Sequence, residues 1–108
     1  MRRYEVIFIV NPDLSSEEMD SVLEKYKGII TSQNGSIIKL DTWGIMNMAY
    51  RIRKHAKGYY VLMDFVGGAA VAKELERNFK IDDRILRYLT VKIADKFEME
   101  APPREEAA

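Results

Sequence analysis

The pattern of apolar and polar positions divides the chain into six regular segments. Tyr4 to Val10 is largely apolar and is closed by Asn11-Pro12-Asp13, the pattern of a central strand followed by a tight turn. Ser15-Ser16-Glu17-Glu18 fits a capping box: the Ser15 hydroxyl can accept from the Glu18 backbone while the Glu18 carboxylate reaches back. Apolar residues then recur at Met19, Val22, Leu23, Tyr26, Ile29 and Ile30, the three-and-four spacing of one buried helical stripe. Asn34-Gly35 supplies a left-handed stop, and Ser36 to Leu40 opens a β segment that runs into Trp43.

Trp43 to Phe65 reads as a long hairpin. Its two arms are rich in Trp, Ile, Met, Tyr, Val, Leu and Phe, and its middle, Arg51 to Lys57, is basic with Gly58 at the exit. Gly67-Gly68 breaks the second arm. Ala69 to Lys80 is a second helix with Val71, Ala72, Leu75 and Phe79 inward, Ile81-Asp82-Asp83 turns the chain, and Ile85 to Ala94 is a last strand. The order β-α-β-β-α-β predicts an α+β, ferredoxin-like domain over 1–94: a four-stranded antiparallel sheet with both helices on one face, strands one and three central. The other face is left open, which hints at a partner. Residues 95–108 are charged, contain Pro102-Pro103 and have no periodicity, so a flexible acidic tail is expected there.

Charge changes this picture only locally. The 17 basic and 17 acidic side chains cancel, so a nucleic-acid argument must rest on segregation. Segregation is present: Arg51, Arg53, Lys54 and Lys57 with His55 form a cationic tip without an acid, bracketed by Tyr50, Tyr59 and Tyr60. Cations beside aromatic faces suit phosphates and bases, although a solvated loop is often Lys-rich for no further reason. The N-terminal apolar run is too short for a signal-peptide core or a membrane span, and a cytoplasmic location is expected.

Nothing in the chain argues for catalysis. There is no cysteine and one histidine, so cysteine-bearing zinc sites and multi-histidine sites are excluded, and no cofactor is implied. His55 sits inside the basic run and reads as a solvated or phosphate-contacting residue. Glu17, Glu18, Asp20 and Glu24 are spaced for a solvated helical face, and Gly67-Gly68 lacks the lysine and hydroxyl of a phosphate loop. Ile7-Phe8-Ile9-Val10-Asn11 and Lys57-Gly58-Tyr59-Tyr60-Val61 echo the two strand signatures of RNA-recognition motifs, but Val61 and Asp64 stand where the longer one expects aromatics. A free single-stranded RNA binder using the open sheet face, with Phe8 and Tyr59 as its platform, is the alternative this suggests. A small-molecule module or enzyme of the same fold would need a polar pocket, and the sequence offers none.

A broader likeness rests on motifs in register. Arg2-Arg3-Tyr4-Glu5, Asn11-Pro12-Asp13, Trp43-Gly44 followed by Ala49-Tyr50-Arg51-Ile52 and Lys54, and Phe79-Lys80-Ile81-Asp82-Asp83-Arg84-Ile85-Leu86-Arg87 together resemble the bacterial ribosomal small-subunit protein six family over residues 1 to about 94. The resemblance implies a non-enzymatic constituent of the ribosome that binds the central domain of small-subunit ribosomal RNA as a heterodimer with small-subunit protein eighteen. It carries an RNA role onto Arg2, Arg3, Arg53, Lys54, Lys57 and Arg87, with Arg51 and His55 in the same basic run. Trp43 and Tyr50 are candidate contacts, for which edge-strand packing is an equal account.

The chain departs from that family where Ile45-Met46-Asn47-Met48 replaces basic residues followed by leucine, and where Arg51 stands in place of a common proline. Lost phosphate contacts would weaken RNA binding or shift it toward the tip. Ile45, Met46 and Met48 on an edge strand are expected to promote self-association.

Overall fold

The structure, a computed structural model, describes residues 2–94. Alternation determines how the first strand sits. In β1 (Arg2–Val10), Tyr4, Val6, Phe8 and Val10 are buried on one side, while Glu5 and Ile7 are only partly covered on the other. The next helix, α1 (Ser16–Ser32), starts on the expected capping box, with Glu18 N–H donating to Ser15 Oγ at 3.1 Å and Ser15 N–H to Glu18 Oε1 at 2.9 Å. At its end the expected left-handed stop is present, and Asn34 is the residue that adopts it (φ 66°). Gly35 is needed for room instead, because a Cβ there would lie 2.9 Å from both Ile30 Cγ2 and the Val66 carbonyl.

The remaining elements are β2 (Ser36–Ile52), β3 (His55–Gly67), α2 (Ala69–Ile81) and β4 (Ile85–Ala94). The sheet order is β2-β3-β1-β4 with every neighbour antiparallel, so β1 and β3 are central, as the sequence predicts. Both helices contribute to one core: Met19, Val22, Tyr26 and Ile30 of α1 and Val71, Leu75 and Phe79 of α2 meet the inward residues of β1 and β3. Phe8, Tyr26 and Phe79 form its aromatic centre, with ring centroids 4.5 to 5.5 Å apart. Each such pair adds about 0.5–1.5 kcal/mol to the burial of the rings. The expected tail over 95–108 lies outside the described residues. No helix among the described residues is long and apolar enough to cross a membrane.

The turn between α2 and β4 is fixed by charge rather than by apolar packing. Asp82 is buried, accepts Lys25 Nζ at 3.2 Å and the Tyr26 hydroxyl at 2.9 Å, and is gripped by Arg84 through its backbone N–H and two guanidinium nitrogens at 2.9 to 3.0 Å. Burial alone would raise the Asp82 pKa; the bonds from Arg84, Tyr26 and Lys25 outweigh it and hold the carboxyl well below its ordinary value. The Tyr26 phenol is pushed the other way, by burial first and then by the Asp82 carboxylate. The carboxylate thus ties α1 to the start of β4.

Replacing Asp82 with Asn should cost roughly 2–3 kcal/mol, less than the ~3–5 kcal/mol of a fully buried pair because Arg84 and Lys25 stay about one-third exposed. An aspartate whose folded pKa is depressed stabilises fully above its unfolded pKa, and that contribution fades as pH falls toward the folded value. Denaturant titrations should therefore show the gap between wild type and Asp82→Asn wide at pH 7 and narrowing below about pH 4; a gap that stays constant into acid would refute this role.

Candidate nucleic-acid interface

The β2–β3 hairpin overhangs its neighbours. It has 17 and 13 residues in its arms, against nine in β1 and ten in β4. The overhang does not project straight. Ladder pairing runs unbroken from Gly44↔Tyr60 to Asn47↔Lys57 and resumes at Ile52↔His55, so residues 48–51 stand opposite Ala56 alone. Such an excess bends a strand, and here it carries Tyr50 across to Arg87 on the opposite edge strand. Arg87 Nη1 donates to the Tyr50 hydroxyl, and its guanidinium lies 5.7 Å from that ring's centroid. Arg53 Nη1 donates to the Asp83 carbonyl at 2.9 Å, a second tie from the hairpin to the α2–β4 turn.

Two glycines make the bend fit. Gly44 has φ +86° at a break in register between Thr42 and Gly44, and the irregularity leaves Trp43 stacked on Tyr60, centroids 6.4 Å apart and planes 14° apart. A Cβ on Gly58 would fall 2.2 Å from Ile9 Cγ2. Ile9 therefore occupies the place of a side chain at 58, and Met48 closes over both. A cavity of about 210 Å³ remains between Ile9, Met48, Tyr50, Ile52, Tyr60 and Arg87.

The tip itself is smaller than the sequence suggests. The expected cationic loop over Arg51 to Lys57 reduces to a two-residue turn, Arg53-Lys54, with Arg51 in β2 and His55 and Lys57 in β3. Both turn residues have positive φ, 50° and 71°, the I′ pattern whose twist matches the flanking strands and which asparagine and glycine fill most easily. Two long cations are held there against preference. Arg51 Nη1 donates to the Lys54 carbonyl at 3.2 Å and braces the turn. His55 Nδ1 lies 3.9 Å from Asp13 Oδ2, so it has a carboxylate within reach.

The predicted site residues consequently separate into groups. Tyr50, Arg51, Arg53, Lys54, His55, Lys57 and Arg87 gather at the tip end of the sheet, with Tyr50 61% exposed. Trp43, 44% exposed, is set on the open face nearby through Tyr60. Arg2 and Arg3 lie at the other end of β1, about 25 Å away at the rise of a strand. Arg3 is 6% exposed and binds Asp64 through Nε at 3.1 Å and Nη2 at 2.7 Å. It forms a buried ion pair within the fold, at a residue that the resemblance links to RNA. For the single-stranded alternative, Phe8 is wholly buried under the helices and cannot stack a base, while Tyr59 is half-buried against the same core. The open face carries Tyr60 and Trp43 there, but its centre is Ile7, Ile9, Leu62 and the Arg3–Asp64 pair. Sequence reasoning missed Lys80, which lines a cleft with Arg53 and Arg87; its place in the Phe79-to-Arg87 motif was the available signal.

The sequence profile of ribosomal protein S6 matches residues 3–92. The chain belongs to the ribosomal protein S6 family. That family consists of ribosomal structural proteins, not enzymes, and its setting is the ribosome in the bacterial cytoplasm. Small ribosomal subunit protein bS6 of Moorella thermoacetica is 47% identical over 96 residues, covering 89% of this chain and 98% of that protein. Its counterpart in Desulfatibacillum aliphaticivorans is 43% identical over 101 residues, covering 94% of this chain but 55% of the longer relative. The crystal structure of 30S ribosomal protein S6 from Thermotoga maritima superimposes with a TM-score of 0.79 at 32% identity, over 84% of this chain and 86% of that one. The S6 fold expected from the sequence is the fold observed.

Lys54→Gly should raise stability by about 0.5–1 kcal/mol, because glycine adopts positive φ without a Cβ penalty. Thermal melting measures the gain, and a fall in stability would refute strain at this turn.

Proposed function

We propose that this protein binds the central domain of small-subunit ribosomal RNA with its hairpin tip, and a protein partner, small-subunit protein eighteen, with its open sheet face. The observation that carries the RNA half is the gathering of Arg51, Arg53, Lys54, Lys57 and Arg87 at one end of a molecule whose formal charge is zero. Phosphate contacts supply most nonspecific affinity and strong salt dependence. Arg2, partly exposed at the other end, is a separate and weaker candidate. Supporting the protein half, the open face exposes Leu89 (61%), Val91 (45%) and Ile93 (43%) on β4 and Trp43 on β2, without an aromatic platform at its centre. Aliphatic surface of that kind suits a protein neighbour better than stacked bases.

Central-domain RNA should bind weakly to the protein alone and much more tightly with protein eighteen present, with loss at raised salt. Lys54→Gln with Lys57→Gln should flatten the slope of log affinity against log salt by roughly 1.5–2, at ~0.9 per phosphate contact. Failure of the wild-type pair to bind that RNA ends the reading. Loss on Leu89→Ser but not on the lysine changes would point to the partner face alone.

The outer edge of β2 adds a third contact, a second copy of this chain. Ile45 and Met46 are 56% and 41% exposed on a strand with an unpaired side, whereas Met48 is turned inward against Gly58 and leaves the expected trio. Sedimentation velocity should show concentration-dependent association that Ile45→Lys abolishes; a strictly monomeric profile at high concentration would exclude it.

A further inference from the structure

We infer that the cleft between the hairpin turn, the end of α2 and the start of β4 is a phosphate-binding subsite, and that Lys80 is part of it. The inference rests on the RNA reading and assigns that reading a specific seat. The cleft has a volume of about 230 Å³ and is lined by Arg53, Lys80 and Arg87 above Phe79, Ile85 and Tyr88. Three cations therefore converge on one concavity whose lining contains no carboxylate. Left empty, such a group repels itself, and an oxyanion removes the repulsion.

Two of the three are already aimed. Arg53 is anchored by one nitrogen to the Asp83 carbonyl, and Arg87 by one nitrogen to the Tyr50 hydroxyl with its plane against that ring. A guanidinium has five N–H donors, so each retains several for a ligand. Orientation before binding limits the entropy lost on contact. Lys80 lies in the last turn of α2 and makes no hydrogen bond or ion pair among the described residues. The helix end places about half a negative charge nearby, too little to cancel three cations. Of the acids on the adjoining turn, Asp82 is committed to Lys25, Tyr26 and Arg84, and Asp83 stands outside the lining.

The floor identifies the ligand class further. Phe79 and Tyr88 are stacked at 5.1 Å and belong to or pack on the core, so the base of the cleft is rigid and apolar. A small oxyanion bordered by a nonpolar sugar edge fits this, and a phosphodiester of an RNA backbone has that chemistry; a free phosphate shares only the first half.

The test uses the full chain and two probes: a labelled RNA stem-loop, by fluorescence anisotropy, and inorganic phosphate, by NMR of the arginine and lysine side chains. Lys80→Gln should lower the salt slope for RNA by about 0.9, so that a fourfold rise in salt costs the wild type roughly 3.5-fold more affinity than the variant. Lys73→Gln, exposed on α2 outside the cleft, is the control and should leave the slope unchanged. If RNA binds and Lys80→Gln behaves like Lys73→Gln, the subsite is overturned and the RNA reading stands. Phosphate shifts at Arg53, Lys80 and Arg87 without RNA binding would uphold the subsite and sink the RNA reading. Response to neither probe overturns both.

Discussion

A hairpin longer than the strands beside it has to dispose of its excess. Here β1 supplies nine residues of pairing for a β3 of 13 and β2 adds 17, so the far end of the hairpin has no inner neighbour in the sheet. Its apolar residues would stand in water if it ran straight. Bending over the sheet buries Met48 and Ile52 against Ile9, and the bend is available only because Gly58 leaves Ile9 its space and residues 48–51 can bulge opposite Ala56. Everything that distinguishes the tip follows: Tyr50 reaches Arg87, Arg53 reaches the Asp83 carbonyl, and cations from three elements face one region.

Charge does two different jobs in this molecule, separated by burial. Arg3–Asp64 and the Asp82 group are satisfied within the fold, and each has several hydrogen bonds to offset the loss of solvent. At the tip the pattern reverses: Arg53, Lys54 and Arg87 bond to carbonyl or hydroxyl oxygens or to nothing among the described residues, and His55 is the member with a carboxylate in reach. Paired charges fix the ends of elements; the others are left for something outside. A formal charge of zero hides this division, because the acids that balance the tip lie elsewhere in the sequence, on helix faces, in internal pairs and among residues 95–108.

Much of the fold was legible because each element carries its own local signal. The capping box at Ser15, the stripe from Met19 to Ile30 and the limits of β4 all depend on neighbours in sequence, and the structure has them where the pattern put them. What could not be read depends on partners far along the chain. Nothing local separates Arg3 from Arg2, yet one meets Asp64, 61 residues away, and the other does not pair there. The basic run looked like a seven-residue loop since charge suggests solvent, but edge strands also tolerate charge, and pairing continued to Ile52↔His55. For a similar reason the open-face alternative for Phe8 could not be told from core packing: an apolar run without alternation does not say which side the helices will cover.

The side each residue takes also sets what the open face presents. Parity along β1 sends Phe8 to the helices with Tyr4, Val6 and Val10, and leaves Glu5, Ile7 and Ile9 outside with Arg3. The parity of β3 similarly sends Tyr59 inward and Tyr60 outward. An open face built for bases needs flat rings on both central strands; here those strands contribute a single tyrosine, Tyr60, beside Trp43 of β2, with aliphatic side chains and the Arg3–Asp64 pair along the rest of them. Cations are grouped off that face, at the tip and along the α2–β4 side, so the cationic surface and the apolar one are adjacent and meet at Arg87 and Tyr50.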